Sequence, residues 1–90
     1  MSGARVLYNR TVTPSHRLMG IEWEIPRARP GQFVMLRLPH TFDPFLRRPF
    51  GIYNIIRGGI EVLYKVIGKG TTAMAGLAPG DDVDMLGPLG

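Results

Sequence analysis

The sequence of 90 residues contains no cysteine. This absence excludes disulfides, thiolate zinc sites, cysteine-bound iron–sulfur clusters and cysteine nucleophiles within the chain. No segment approaches the roughly 20 apolar residues of a membrane-spanning helix. The opening residues, MSGARVLYNR, also lack the apolar core of a signal peptide. We therefore expect a cytoplasmic location and no membrane partner.

Acidic residues are scarce relative to basic ones, with 7 aspartates and glutamates against 11 lysines and arginines, for a net charge of +4. Nine arginines lie between Arg5 and Arg57, whereas Asp81, Asp82 and Asp84 lie near the C-terminal end. This balance favours an anionic partner, which is a phosphate-bearing small molecule, a nucleic acid or an acidic protein surface. The charge alone does not choose among these three.

Side chains suited to acid–base or nucleophilic chemistry are also sparse. The histidines, His16 and His40, stand apart in predicted loops without a nearby carboxylate, and we predict surface positions for both. The serines, Ser2 and Ser15, have no triad context. We identify no catalytic residue and no metal site, so any reaction that involves this chain depends on a cofactor for its chemistry.

The 12 glycines and 8 prolines divide the chain into short segments, which is typical of an all-β domain. The predicted strands cover residues 4–12, 17–25, 32–38, 49–56, 60–67 and 81–86. One short helix is predicted over residues 71–78, with Thr71 or Thr72 as its N-cap. Because strands and helices do not alternate, we predict a single domain over residues 1–90, an all-β, six-stranded antiparallel Greek-key barrel with one short helix.

The stretch GKGTTA, residues 68–73, matches the G-x-G-x-x-A pattern of dinucleotide-binding folds. That pattern has its meaning only inside a βαβ unit, and no such unit surrounds it here. A P-loop is excluded because Gly70 separates Lys69 from Thr71. Two readings remain: a helix N-terminus whose Gly70, Thr71 and Thr72 N–H groups bind phosphate, and an ordinary strand-to-helix turn.

The segment FLRRPFGIYNI, residues 45–55, places two arginines directly before a Pro-Phe-Gly run at the start of a predicted strand. Proline at the first position of a strand is tolerated because its missing N–H does least harm there. Two readings fit Arg48, a solvated charge at the strand start and a contact to a flat anionic ligand. We interpret Arg47 as solvated or interfacial.

Four motifs in fixed order, PGQFVMLRLP, DPFLRRPFGIYNI, EVLYKVIGKGT and LAPGDDVDMLGPLG, resemble the FAD-binding barrel of the ferredoxin reductase superfamily, in particular its dihydroorotate dehydrogenase electron transfer subunits. The resemblance runs over residues 4–90. It implies an FAD-binding domain of an electron-transfer flavoprotein of pyrimidine biosynthesis. In full-length relatives, electrons pass between flavin, an iron–sulfur centre and NAD.

The resemblance also implies what this chain does not carry. The NAD-binding domain and the cysteine-bound [2Fe–2S] cluster of such relatives are expected outside these residues, and the chain is expected to be a fragment. It is then part of an oxidoreductase but not catalytically complete by itself. A catalytic dehydrogenase subunit is the expected partner of the full-length relative.

The resemblance assigns FAD-binding roles to residues 48–51, at the start of the fourth predicted strand. The superfamily's Arg-Pro-apolar-Ser stretch corresponds here to Arg48, Pro49, Phe50 and Gly51. Arg48 would pair with the FAD pyrophosphate, and Phe50 would pack against the isoalloxazine. Gly51 departs from the usual Ser or Thr, so a side-chain hydroxyl toward the flavin is missing.

A second stretch, apolar-Tyr-Arg in the superfamily, corresponds to Leu63, Tyr64 and Lys65 and would contact the ribityl and adenosine side. Lys65 departs from arginine and cannot form a bidentate fork. Gly70 and Thr71 would offer backbone and hydroxyl donors to phosphate.

Two other functions stay open at this point. A small basic barrel could bind single-stranded nucleic acid, which requires aromatic side chains interleaved with arginines on one exposed face. Tyr8, Phe42 and Tyr53 are available, but their spacing shows no such platform, so we expect no nucleic-acid partner. A structural module whose flavin site has decayed is the other alternative, and Gly51 favours it.

Overall fold

The computed structural model describes residues 2–24, 28–37 and 48–90. Six strands and one helix occur in the order β1 (Ser2–Thr11), β2 (His16–Glu22), β3 (Phe33–Arg37), β4 (Arg48–Ile56), β5 (Gly59–Lys65), α1 (Lys69–Ala75) and β6 (Asp82–Leu89). Every predicted element is present, with ends displaced by no more than three residues. The predictions for Arg47, His40 and Phe42 fall outside the described residues.

The strands close into an antiparallel barrel with the neighbour order β1-β2-β5-β4-β3-β6. Sequential strands pair in the β1–β2, β3–β4 and β4–β5 hairpins, whereas β2 pairs with β5 and β3 with β6 through longer connections. The β1–β6 pairing completes the closure and leaves no free sheet edge. The predicted six-stranded antiparallel barrel with one short helix is confirmed.

The interior of the barrel is filled by the inward residues of all six strands. Along β5, Ile60, Val62 and Tyr64 are buried while Leu63 and Lys65 are exposed, which is the period-two alternation of a strand with one face in the core. The buried apolar cluster consists of Ala4, Val6, Met19, Ile21, Trp23, Val34, Leu36, Ile52, Ile60, Val62, Tyr64, Met74, Val83 and Met85. The helix contributes Met74, which is fully buried, so α1 covers one end of the barrel.

The start of α1 differs from the prediction. The N-cap is Gly68, not Thr71 or Thr72. Thr71 is the third residue of the helix, and its hydroxyl oxygen accepts the N–H groups of Ile67 at 2.9 Å and Gly68 at 3.1 Å. A threonine can satisfy the N–H groups that precede a helix from this position as well as from the cap itself, because the side chain points back toward the N-terminus.

The second strand is shorter than predicted. β2 ends at Glu22, and Trp23 leaves the ladder with its N–H donated to the carbonyl oxygen of Gly58 at 2.8 Å. Its side chain is still buried. Among the described residues, no helix is long and apolar enough to cross a membrane.

The tight β4–β5 hairpin generates a stability prediction. Gly58 adopts a φ of +83°, and the backbone of the next residue, Gly59, lies so close to β2 that a Cβ there would overlap the carbonyl oxygen of Ile21. We expect Gly59→Ala to lower the free energy of unfolding by about 3 kcal/mol, the upper part of the range for overpacking, because backbone cannot move aside as a side chain can.

The matched control is Gly51→Ala in the neighbouring strand. Among the described residues, a Cβ at Gly51 meets nothing within 4 Å, and its φ is not in the left-handed region. Urea unfolding without ligand should therefore show little change for Gly51→Ala. Equal losses for the two variants would contradict the close packing described at Gly59.

Candidate functional site

The predicted site residues come from three neighbouring parts of the barrel. β4 pairs antiparallel with β5, with Ile52 opposite Val62, so the first residues of β4 lie beside the last residues of β5. α1 begins four positions after β5 ends, at Lys69. One end of the barrel thus carries all of the predicted residues, namely Arg48, Pro49, Phe50, Gly51, Leu63, Tyr64, Lys65, Gly70 and Thr71.

An aromatic pair joins the two strands at this end. The rings of Phe50 and Tyr64 meet edge to face, with centroids 6.3 Å apart and an interplanar angle of 77°. Tyr64 is only 4% exposed, whereas Phe50 is half-buried. Burial raises the pKa of Tyr64, opposed by its hydrogen bonds to Asn9 and Arg17. Phe50 is therefore the ring that can meet a ligand, and Tyr64 supports it from inside the barrel.

Two cations flank this pair. Arg48 and Lys65 are both exposed, at the start of β4 and the end of β5. Within the described part of the chain, the ion pair that forms joins Arg37 and Asp84 at 2.7 Å, and no carboxylate pairs with Arg48 or Lys65. Among the described residues, neither charge is therefore neutralised by an ion pair.

Gly51 leaves open space beside the pair. Its backbone φ lies outside the left-handed region, and within the described residues a Cβ added here would meet no atom within 4 Å. The glycine is therefore required neither by backbone strain nor by packing.

The strand-to-helix turn offers fewer free donors than predicted. The N–H of Thr72 donates to the carbonyl oxygen of Gly68 at 2.8 Å, so the prediction that it is available to phosphate is wrong. The hydroxyl of Thr71 lies 2.9–3.3 Å from three backbone atoms of Ile67 and Gly68. Gly70 is the second residue of α1, a helix of 7 residues. A ligand at this turn would therefore be bound mainly by backbone N–H groups, because the side-chain hydroxyl of Thr71 is already hydrogen-bonded.

Metal binding has no support in the described residues, which contain no group of three or more His, Asp or Glu side chains able to hold an ion. His16, predicted at the surface, is half-buried. Its Nδ1 lies 3.0 Å from the Thr13 hydroxyl and 3.1 Å from the Ser15 hydroxyl, which fixes the turn between β1 and β2.

No family model matches the sequence. The chain is 43% identical over 93 residues to the dihydroorotate dehydrogenase B (NAD(+)) electron transfer subunit of Desulforamulus reducens, a match that covers 97% of this chain and 35% of that protein. It is 34% identical over 87 residues to the subunit of the same name from Caldanaerobacter subterraneus, covering 97% of this chain and 34% of that protein.

Two solved structures share the fold. The NADH-dependent reduced ferredoxin-NADP oxidoreductase superposes with a TM-score of 0.80 at 27% identity, over 96% of this chain and 33% of that chain. A ferredoxin NADP+ reductase from Neisseria gonorrhoeae, solved with bound FAD and NADP, gives a TM-score of 0.77 at 20% identity, over 96% of this chain and 38% of that chain. The chain belongs to the ferredoxin reductase superfamily. It spans about a third of the length of the curated relatives described above.

One residue of this superfamily barrel was missed by sequence reasoning. Asn9, near the end of β1, uses both ends of its side-chain amide. Nδ2 donates to the carbonyl oxygens of Met74 at 2.9 Å and Leu77 at 3.0 Å, and Oδ1 accepts from Tyr64 and Arg17. Its partners lie 8 to 68 positions away in sequence, so no local pattern indicates them. The only signal is a short polar residue inside an otherwise extended run.

A second unpredicted cluster lies on the outer face of the barrel. Glu61 is only 7% exposed and accepts hydrogen bonds from the Tyr8 hydroxyl and from Asn54 Nδ2, the latter at 3.2 Å. The Tyr8 ring reaches it across Gly20, where any Cβ would collide with the ring. Burial, followed by the hydrogen bond to Glu61 and its charge, raises the pKa of Tyr8 to about 12, against the opposing effect of Arg10.

This cluster generates a prediction for alkaline stability. Because the pKa of Tyr8 is raised in the folded protein from 10.0 to about 12, its contribution is fully present below pH 10 and is lost as the pH rises toward 12. We expect the melting temperature to fall across this window. Tyr8→Phe should lower stability near neutral pH by about 1 kcal/mol, the net contribution of one hydrogen bond, and should decline less steeply above pH 10.

Thermal melts from neutral to alkaline pH compare Tyr8→Phe with Tyr53→Phe, whose ring is 58% exposed and lies outside the cluster. The control should keep the alkaline decline of the parent protein. An unchanged alkaline decline in Tyr8→Phe would show that this hydroxyl is not the titrating group.

Proposed function

We propose that this chain is an FAD-binding domain of an electron-transfer flavoprotein of the dihydroorotate dehydrogenase B type. The observation that carries the proposal is the half-buried ring of Phe50 at the end of the barrel that also carries Arg48, Lys65 and the open position of Gly51. Both cations are exposed, and no carboxylate of the described residues pairs with them. FAD needs a flat apolar contact for its ring and positive charge for its pyrophosphate. The relatives named as electron transfer subunits and the FAD-containing neighbour support this choice of ligand.

The positive groups fit the phosphate end of FAD. A guanidinium can form two parallel hydrogen bonds to a pyrophosphate, which is the contact we assign to Arg48. Lys65 would add a point charge, with Leu63 and the Tyr64 backbone beside it. At the helix start, Gly70 and Thr71 would contribute backbone donors, since the Thr71 hydroxyl is engaged with its own turn.

The apolar groups fit the ring end. Phe50 would pack against the isoalloxazine, and Tyr64 holds Phe50 in place through their edge-to-face contact. Pro49 precedes the ring residue with a fixed φ, which limits the motion of the strand start. FAD, when bound, supplies the electron-transfer chemistry. The residues of this chain bind it, orient its ring and leave the edge near Gly51 accessible.

The remaining parts of the proposed protein lie beyond this domain. We propose that an NAD-binding domain and a [2Fe–2S] cluster are supplied by other segments, because the relatives are about three times as long and the chain has no cysteine to hold a cluster. A catalytic dehydrogenase subunit, as implied by the names of the relatives, is the proposed protein partner, and a cytoplasmic location is proposed with it.

The charge of Arg48 provides the first test. Arg48→Ala should weaken FAD binding by about 1.5–3 kcal/mol, roughly 10- to 150-fold, because it removes hydrogen bonds from a charged donor. Arg57→Ala is the matched control, since Arg57 is exposed in the turn at the opposite end of the same strand. Titration with FAD, followed by quenching of flavin fluorescence, measures both.

Two results would contradict different parts of this account. Similar losses for Arg48→Ala and Arg57→Ala would show that only net charge matters and would reject the assigned contact. A parent protein that neither retains flavin absorbance on purification nor binds added FAD would reject the proposed function itself.

The open position at Gly51 provides the second test. Since the backbone is unstrained and a Cβ meets no atom of the described residues within 4 Å, Gly51→Ser should fold normally. Its hydroxyl should add one neutral hydrogen bond to bound flavin, a gain of ~1 kcal/mol or about fivefold in affinity. Gly51→Ala is the control, because it adds the same Cβ without the hydroxyl.

FAD affinity, flavin reduction potential and thermal stability are measured for all three proteins. Tighter binding by Gly51→Ser at unchanged stability is the expected result, with a shifted potential. If Gly51→Ala matches Gly51→Ser in affinity and potential, the ring edge does not lie beside this position.

A further inference from the structure

Asn9 is a half-buried residue whose side chain connects parts of the barrel that are distant in sequence. A side-chain amide has four hydrogen-bonding positions, two donors on nitrogen and two lone pairs on oxygen. All four are used here, with partner distances of 2.9 and 3.0 Å on the nitrogen side and 2.7 and 3.2 Å on the oxygen side. Such complete use of a side-chain amide makes its position and orientation unique.

The nitrogen side holds the helix. Nδ2 donates to the carbonyl oxygens of Met74 and Leu77, at and just beyond the last turn of α1. The last carbonyls of any helix lack partners within the helix, and α1 is too short to be stable by itself. These two bonds, with the buried Met74 side chain, attach the helix to the barrel.

The oxygen side holds the aromatic pair. Oδ1 accepts from the Tyr64 hydroxyl at 2.7 Å, and the Tyr64 ring meets Phe50 edge to face. Arg17 secures the same oxygen through Nε at 3.2 Å and the Asn9 backbone carbonyl through a second nitrogen at 2.7 Å. The ring of Phe50 is therefore two contacts away from an amide that also fixes α1.

We infer that Asn9 is a positioning residue for the flavin: it sets the place of Phe50, through Tyr64, relative to the helix end of the site. This inference rests on the proposed function, because it concerns the same ligand. Among the described residues, the hydrogen bonds of the Asn9 side chain run to Met74, Leu77, Tyr64 and Arg17, and none of them runs to Phe50, Arg48 or Lys65. Its effect is expected on the affinity and environment of bound flavin, beyond any effect on folding.

The chemistry of the side chain explains why an amide is needed. A carboxylate of the same shape keeps both acceptor contacts but places an anionic oxygen against the carbonyl oxygens of Met74, in α1, and Leu77, just beyond it, and has no donor for them. Asn9→Asp thus separates the two sides of the amide. Tyr64→Phe removes the hydroxyl contacts to Asn9 Oδ1 and Arg17 and keeps the ring that Phe50 meets.

The experiment compares FAD binding and the absorbance spectrum of bound flavin in the parent protein, Asn9→Ala, Asn9→Asp, Tyr64→Phe and the double variant of Asn9→Ala with Tyr64→Phe. Ile60→Val and Ile60→Ala are stability controls, because Ile60 is 1% exposed and lies beside the β4–β5 turn, at the opposite end of the barrel. For each Asn9 variant, thermal melts show which Ile60 variant loses a similar amount of stability. FAD affinity is then compared between those two proteins.

We expect Asn9→Ala to weaken FAD binding by about tenfold or more relative to its matched control and to move the flavin spectrum toward that of free FAD. The combined effect of Asn9→Ala and Tyr64→Phe should fall short of the product of the single effects by about threefold or more, since both act on one contact chain. Asn9→Asp should weaken binding although it keeps the Tyr64 contact.

The outcomes separate the two proposals. If the parent protein binds FAD and the Asn9 variants lose no more affinity than the Ile60 controls, the positioning role is wrong while the proposed function stands. Independent effects of Asn9→Ala and Tyr64→Phe would also reject it. Should Asn9→Ala not fold, Asn9→Asp and Tyr64→Phe decide the question. A parent protein without FAD affinity would overturn the proposed function and this inference with it.

Discussion

The register between β4 and β5 is the constraint on which the site depends. From the hairpin up to Asn54 the pairing is continuous, with Ile55 opposite Ile60 and Asn54 opposite Glu61. A bulge at Tyr53 then shifts the register by one residue, so that Ile52 lies opposite Val62. Without that shift, with Tyr53 paired in the ladder, Ile52 would lie opposite the exposed Leu63, and the start of β4 would turn its other face to the core. The bulge therefore brings Phe50 to Tyr64.

The sequence predicts the scaffold better than the site. The apolar residues at every second position of β5, Ile60, Val62 and Tyr64, and the Gly-Gly turn before them indicate a strand and a hairpin, because successive side chains of a strand point to opposite faces. Pro79 and Gly80, directly after the helix predicted over residues 71–78, likewise indicate where that helix cannot continue. These signals are local, and the structure has each element they predict.

The misses come from contacts that local patterns do not contain. Thr71 is a residue type favoured at N-caps, but it accepts the N–H groups before the helix from the third helical position. Which of the two positions it takes depends on where the helix starts. Asn9 receives its partners from β2, β5 and the segment around α1, which only the closed barrel brings together. Glu61 reads as a solvated outer-face residue until the Tyr8 ring covers it. The order of the motifs identifies the superfamily, but it does not predict these hydrogen bonds between residues that are distant in sequence.

The outer-face row of Tyr8, Gly20, Glu61 and Asn54 has a consequence for how the barrel opens. These residues lie opposite one another on four adjacent strands, β1, β2, β5 and β4, in that order. Tyr8 and Asn54 both bind the Glu61 carboxylate, one from each side. β1 and β4 are thus both held to β5 by hydrogen bonds to the Glu61 carboxylate. Detaching either strand removes one hydrogen-bond donor from this nearly buried carboxylate, which makes the separate fraying of one strand unfavourable. We therefore expect this wall of the barrel to open as a unit, with amide exchange across the four strands following a common event.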